Sequence, residues 1–355
     1  MKNKEFINRL EESGKLSGAE WYGLLSDFTE EDRLYAAELA AKIAKAHFGN
    51  RVYFRGIIEF SNICKNDCLY CGIRKSNKNA VRYRLSEEDI LLCCSEGYRL
   101  GYRTFVLQSG EDGYLTDERM IQLIKRIKVG YPDCAITLSI GERSRESYEK
   151  MYLAGADRYL LRHETADKEH YMSMHPPEMS FENRIRCLFD LREIGYQVGC
   201  GMMVGSPFQT AGALARDMQF MCAFQPEMVG IGPFIPHKDT PFAAYPAGKQ
   251  KLTLFLLSLT RIMLPDVLLP ATTALGSVSE DGRIQGILSG CNVVMPNLSP
   301  QNVRKNYMLY DNKAGINLSA EESLALLKKQ VESAGYEIIV GRGDHKNYAK
   351  ENMRK

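Results

Sequence analysis

Residues 52–72 read VYFRGIIEFSNICKNDCLYCG: a β-branched and aromatic run that breaks into a polar loop carrying three cysteines. The run is a strand signal and the break a turn signal. The same unit recurs along the chain. β-rich runs are RTFVLQ from Arg103, AITLSI from Ala135, RYLLR from Arg158, QVGCGMMV from Gln197, MVGIGPF from Met228, VLLPATT from Val267 and NVVMP from Asn292. Amphipathic segments such as SEEDILLCCSEGYRLG and TLFLLSLTRIML lie between them. Eight strands alternating with helices predict an α/β chain, a complete (βα)8 TIM-type barrel with a parallel sheet. Residues 1–50 read as a helical extension of two or three helices, the last over Glu30–Phe48. Residues 51–355 read as the barrel domain, with a C-terminal helix over 320–334. A polar or Gly-rich motif follows each strand: SNICKNDCLYCG, SGED, GER, HET, GSP, IPH, TTAL and PN. In a barrel these converge on one mouth, where active sites sit.

Cys64, Cys68 and Cys71 form a C-x3-C-x2-C triplet on the first of these loops. Three thiolates on one short loop can hold three irons of a 4Fe-4S cubane and leave the fourth iron without a protein ligand. S-adenosylmethionine can take that place through its amino and carboxylate groups. An electron from the cluster then breaks its C5′–S bond and yields a 5′-deoxyadenosyl radical, chemistry that a cofactor has to supply. Tyr70 stands at an aromatic position typical of such loops. Structural zinc is the competing reading, but zinc takes four tetrahedral ligands, often as paired C-x2-C units, and no fourth partner lies nearby. Of the other cysteines, Cys93, Cys94, Cys134, Cys187, Cys222 and Cys291 fall in helical or strand patterns and read as small buried hydrophobes.

Composition narrows the class. The 355 residues are 45% hydrophobic and 25% charged, with 46 basic and 44 acidic residues for a net charge of +2. That balance gives no reason to expect nucleic acid or an anionic membrane as partner. The start, MKNKEFINRLEESGKLSGAEW, has no apolar signal-peptide core, and no apolar run reaches 18 residues, so the expectation is a cytoplasmic protein with free thiols.

Further candidates follow the other strands. Ser109, Gly110 and Glu111 offer a small-residue approach and acceptors for an ammonium. Glu164, beside Arg162, can accept from ribose hydroxyls. Arg184, in SFENR, can clamp a carboxylate. The Gly201–Gly205 strand end and Met228 can pack an adenine face, though either can equally be core. Thr272 and Thr273 offer hydroxyls, and His237 sits on a loop shaped by Pro236 and Pro241. Arg158, one strand register earlier than Arg162, reads as structural.

IIEFSNICKNDCLYCGIRKSNKNAVRYRLS, VLQSGED, GADRYLLRHETA, SFENRIRCL, MVGIGPFIPHKDTP, LPATTALG and NVVMPNLSP together resemble the HydE family, radical S-adenosylmethionine maturases of FeFe-hydrogenase, over nearly the whole chain. The resemblance implies a full barrel with cluster and cofactor at its top. Ser109, Glu164 and Arg184 fall on cofactor-contact positions, Thr137 and Arg162 near the same site, and Tyr307 near the substrate end. It implies a role in assembling the hydrogenase H-cluster, a small substrate in which cysteine binds an iron carbonyl cyanide unit, attack of the adenosyl radical on sulfur, the fellow maturases HydG and HydF as partners, and ferredoxin or flavodoxin as electron donor. A monomer is expected. Some members carry a second cluster near the C-terminus, but no cysteine follows Cys291, so one cluster is expected here.

Two rivals share the fold. Methylornithine synthase would spend the radical on a carbon-skeleton rearrangement. Biotin synthase needs a ligand cysteine where this chain has Gly199; Cys200 comes one position later, and strand alternation turns it to the opposite face. A third rival, a non-catalytic iron carrier or scaffold, leaves the converging cofactor motifs without a use.

Overall fold

Thr29 starts the third helix by a reciprocal cap: its hydroxyl accepts the Asp32 N–H, and the Asp32 carboxylate accepts the Thr29 N–H. That helix, Glu30–Phe48, follows Lys2–Ser13 and Gly18–Asp27, as the sequence predicts. Its small residues Ala36, Ala40 and Ala44 recur every four positions and form a buried stripe. The stripe allows close approach to helix Gln250–Met263, in which every residue from Thr253 to Met263 is buried. The computed structural model describes residues 2–348.

Eleven strands are present among the described residues: β1 Arg51–Phe54, β2 Gly56–Ser61, β3 Thr104–Ser109, β4 Ala135–Ser139, β5 Arg158–Leu160, β6 Gln197–Cys200, β7 Met203–Val204, β8 Met228–Val229, β9 Gly232–Pro233, β10 Val293–Val294 and β11 Glu337–Ile339. Helices intervene in a βαβ pattern. Ser86, Thr116, Ser144, Ser180 and Thr210 each cap one by accepting the N–H three residues on. A six-stranded parallel sheet runs β2-β3-β4-β5-β6-β8, a three-stranded one runs β10-β1-β11, and β7 pairs with β9. This is an α/β fold whose parallel sheet wraps into at least part of a barrel.

The seventh β-rich run, VLLPATT, forms no ladder. It makes single parallel bridges, Met228 with Leu268 and Pro270 with Val293. Pro270 has no N–H to donate, which interrupts regular pairing. The first run divides at Arg55, and Ile57 bridges to Asn297. Cys200 is fully buried in the core between sheet and helices, while Gly199 faces the barrel interior, the alternation expected.

β11 was not foreseen. It pairs in parallel with β1, from Arg51 with Glu337 to Tyr53 with Ile339, and leads residues 341–345 beneath the strands. There the Arg342 carbonyl accepts from Thr104 Oγ1 (2.8 Å) and Arg158 Nη2 (2.7 Å). Asp344 takes the Arg158 guanidinium, Arg342 Nε (2.7 Å) and Gln197 Nε2 (2.8 Å). This network gives Arg158 the structural place its register suggested.

Candidate active site

The cysteine loop is held from several sides. Arg82 donates to four backbone carbonyls, those of Asn62 (2.6 Å), Ile73 (2.8 Å), Arg74 (2.6 Å) and Asn77 (3.2 Å). Arg74 donates to Asp67 across the loop (2.7 Å), and that guanidinium holds the Asp67 carboxyl well below its usual range. The Leu69 N–H reaches the Met174 carbonyl and the Gly72 N–H the Leu309 carbonyl, both at 2.9 Å. Gly110 passes so close that a Cβ there would stand 2.4 Å from the Ile63 carbonyl oxygen and 2.8 Å from Cys64 Cβ. Only glycine lets strand end and cysteine loop meet.

Both line one cavity of about 340 Å³, within the size of a small-molecule site. Of the residues singled out in the sequence, Cys64, Cys68, Tyr70, Cys71, Ser109, Gly110, Glu111, Arg162, Glu164, Arg184, Thr272, Thr273 and Tyr307 face it. Three do not. Thr137 and Met228 lie in a separate pocket of about 10 Å³ with Arg55 and Arg158. Thr137 is mid-strand in β4 and Met228 opens β8, so both sit a layer below the strand ends. His237 turns away to support the cysteine loop: a Cβ on Gly72 would stand 2.3 Å from its Cδ2, and its Nδ1 accepts the Asp239 N–H at 3.1 Å.

Charge is built into the cavity wall. Glu164 has φ of 65°, a left-handed conformation costly for a residue with a side chain. It is fixed there by its N–H to the Gly201 carbonyl (3.1 Å) and by its carbonyl, which accepts from the Met203 N–H (3.2 Å). Its carboxylate accepts from Arg162 Nε at 3.1 Å. Burial pulls the Arg162 guanidinium down, but Glu164, with Tyr70 and Tyr310, offsets this and leaves it raised. Arg184, in the first turn of helix Phe181–Ile194, makes a 2.7 Å ion pair with Glu142. Glu111 accepts the Glu142 N–H (2.9 Å), and a Cβ on Gly141, at φ of 80°, would stand 2.0 Å from Glu111 Cγ. Tyr70 Oη lies 3.1 Å from His175 Nε2, whose Nδ1 is 2.8 Å from the Tyr171 carbonyl. A carbonyl only accepts, so Nδ1 carries the proton and Nε2 receives the phenol.

The three thiols fit a cluster better than a single ion. Burial pushes each up from its ordinary value, Cys71 to about 12, and neighbouring thiols add to the rise at Cys68 and Cys71. Such thiols ionise only with a strong cationic centre between them. Among the described residues no three His, Cys, Asp or Glu side chains are grouped as for one metal ion. A cubane binds its thiolates on separate irons and does not require that convergence.

Sequence reasoning missed Glu59, Gln108, Tyr310 and Lys313, which also line the cavity. Glu59 lies within β2, where a lone acid is a weak signal. Lys313 and Tyr310 belong to a polar segment without periodicity, brought over the mouth by tertiary contacts such as Asp311 N–H to the Pro236 carbonyl (3.2 Å).

Residues 58–221 match the family model of the radical SAM superfamily. The chain is 45% identical over 298 residues to the FeFe hydrogenase maturase subunit HydE of Thermotoga maritima, covering 84% of this chain and 85% of that one. This chain belongs to the HydE family. It is a radical S-adenosylmethionine enzyme of the HydE type. It is also similar to a protein of different activity: 3-methylornithine synthase of Methanosarcina acetivorans is 28% identical over 310 residues, 86% of each chain. A crystal structure of methylornithine synthase superposes with a TM-score of 0.83 at 24% identity, covering 98% of this HydE-family chain and 99% of that one, which shows a shared fold. No helix among the described residues is long and apolar enough to cross a membrane.

Proposed function

We propose that this HydE-type hydrogenase maturase carries one 4Fe-4S cluster on Cys64, Cys68 and Cys71 and acts in building the diiron part of the H-cluster. The observation that carries the reading is the shared cavity lined by the three thiols, by Glu164, Arg162 and Arg184, and by the strand end at Ser109–Glu111. When bound there, cluster and S-adenosylmethionine supply the 5′-deoxyadenosyl radical.

The protein's own residues bind and orient. Ser109, Gly110 and Glu111 receive the methionine ammonium, with Gly110 keeping the approach open. Arg184, already oriented by Glu142, takes the methionine carboxylate as a bidentate partner. Glu164 offers its carboxylate to ribose hydroxyls, with Arg162 holding the side chain. Tyr70 closes the wall beside the thiols. Thr272, Thr273 and Tyr307 face the remaining space and contact a small iron- and cysteine-containing substrate.

Several finer points belong to the same reading. The sheet closes as a complete (βα)8 barrel, supported by the bridges of Leu268 to Met228, Pro270 to Val293 and Asn297 to Ile57. Residues 1–50 form a helical extension on it, and residues 51–355 one barrel domain. A second cluster is absent, supported by the lack of cysteine beyond Cys291. The protein works in the cytoplasm as a monomer, with HydG and HydF as fellow maturases and ferredoxin or flavodoxin as electron source. The greater identity to HydE than to methylornithine synthase favours maturation over the mutase reading. The test is anaerobic reconstitution with iron and sulfide, then dithionite and S-adenosylmethionine. Formation of 5′-deoxyadenosine is expected, together with restored hydrogenase activity in a maturation mixture lacking HydE. A well-loaded cluster that yields no 5′-deoxyadenosine would sink the enzyme reading.

A further inference from the structure

The Glu59 and Lys313 side chains form an ion pair that is almost wholly buried, 4% and 8% exposed, yet both residues face the cavity. They stand 254 positions apart in the chain. Removing two charges from water is expensive, and a buried ion pair is weak evidence for stability, because well-packed apolar residues do as well or better. Its use is better sought in what the cavity receives.

The pair is left with capacity to spare. Lys313 Nζ donates to Glu59 and to the Tyr307 carbonyl (3.1 Å). An ammonium has three donors, and beyond these two contacts it meets only the face of the Tyr307 ring, 5.0 Å from its centroid, and no further hydrogen-bond acceptor among the described residues. Glu59 accepts from Asn297 Nδ2 at 2.7 Å as well as from Lys313, and a carboxylate has about four acceptor sites. In the lining of the same cavity, Thr272 Oγ1 is buried without a hydrogen-bond partner among the described residues. A buried hydroxyl left unpaired is costly unless something arrives to meet it. The Gln108 amide also faces the cavity and reaches Tyr307 Oη only at 3.4 Å.

We infer that Glu59 and Lys313 are substrate-positioning residues that read a zwitterionic amino-acid group, Glu59 receiving its ammonium and Lys313 its carboxylate, with Thr272 as a further contact. A neutral pair matches a ligand with one charge of each sign and opposes one that carries a single charge, since the unmatched partner stays buried and unpaired. The inference rests on the cavity being the radical enzyme's substrate site, and it names which wall of that site holds the amino-acid end.

The test uses cluster-loaded protein with S-adenosylmethionine bound, and calorimetric titration with three probes: L-cysteine, N-acetyl-L-cysteine, which lacks the ammonium, and L-cysteine methyl ester, which lacks the carboxylate. Wild type is expected to bind L-cysteine at least ~10-fold more tightly than either blocked form. Glu59→Gln should shift the preference toward N-acetyl-L-cysteine, and Lys313→Gln toward the methyl ester. A purely structural pair would weaken all three probes alike. Equal binding of the three probes by wild type, or no binding of any, overturns the inference without recourse to a variant, so a substitution that fails to fold does not shield it. Variants that fold and keep the wild-type order also overturn it. Wild-type 5′-deoxyadenosine formation is measured alongside: its absence counts against the proposed function, whereas its presence without probe discrimination counts against this pair alone.

Discussion

The two ends of the barrel use the same residue types to different ends. At the mouth, Arg162 and Glu164, Glu59 and Lys313, and Arg184, which Glu142 pairs from behind, line open space, and Glu164 keeps a strained backbone. At the underside, Asp157 takes Lys128, Arg342 and the Ile136 N–H, each at 2.8 Å, and Arg158 commits both terminal nitrogens, to Thr104, the Arg342 carbonyl and Asp344, leaving only its Nε without a partner. Charges satisfied by protein hold the fold together. Charges left with spare capacity are available to a ligand.

The sharpest way to break this division is at the mouth. Cys68→Ala should abolish both cluster and 5′-deoxyadenosine, read from bound iron and sulfide and from product, with unfolding of the apoprotein shifted little. The reverse is expected below. Arg158→Met leaves Asp344 short of a partner and should cost ~3–5 kcal/mol in denaturant unfolding, while activity per folded, loaded molecule persists. A loss of activity without a loss of stability there would overturn the division.

Glu164→Asn sharpens it. Asn tolerates a positive φ but leaves the Arg162 guanidinium without its anionic partner, so the two effects oppose and stability should change by no more than ~1 kcal/mol, while S-adenosylmethionine binding falls ~10-fold, measured by titration. The smallest expected effect is in pH. Burial holds the His175 imidazole down at about 4, below its ordinary 6.5. Between those values the unfolded chain binds the extra proton, so stability is complete above pH ~6.5 and is lost as pH falls towards 4. Apoprotein with His175→Gln should escape ~1 kcal/mol of that loss at pH 5.5, read as the difference in unfolding free energy. An identical pH profile would mean that His175 is already charged in the fold.

Much of the mouth was legible because its signals are local. The cysteine triplet, SGED, HET and SFENR are each contiguous, and strand alternation places them. Thr137 and Met228 went astray because their positions depend on where within a strand the residue falls, and strand limits are the least legible feature of a sequence. His237 went astray because a mouth loop can turn a side chain either way. β11 is three residues long, and its pairing with β1 joins segments far apart in the chain. Lys313 is one lysine in a polar segment; nothing near it points to Glu59.

That distant pairing bears on how the chain is made. β1 leaves the ribosome early, but both its neighbours, β10 and β11, are synthesised hundreds of residues later. Until then an edge of apolar strand is exposed, and the underside network, which draws on Arg342 and Asp344, cannot form. The cysteine loop is therefore finished covalently long before the barrel beneath it is secured. During synthesis the vulnerable interval is the wait for the final strand, and a chaperone that shields β1 over that interval should raise the yield of folded protein more than added iron does.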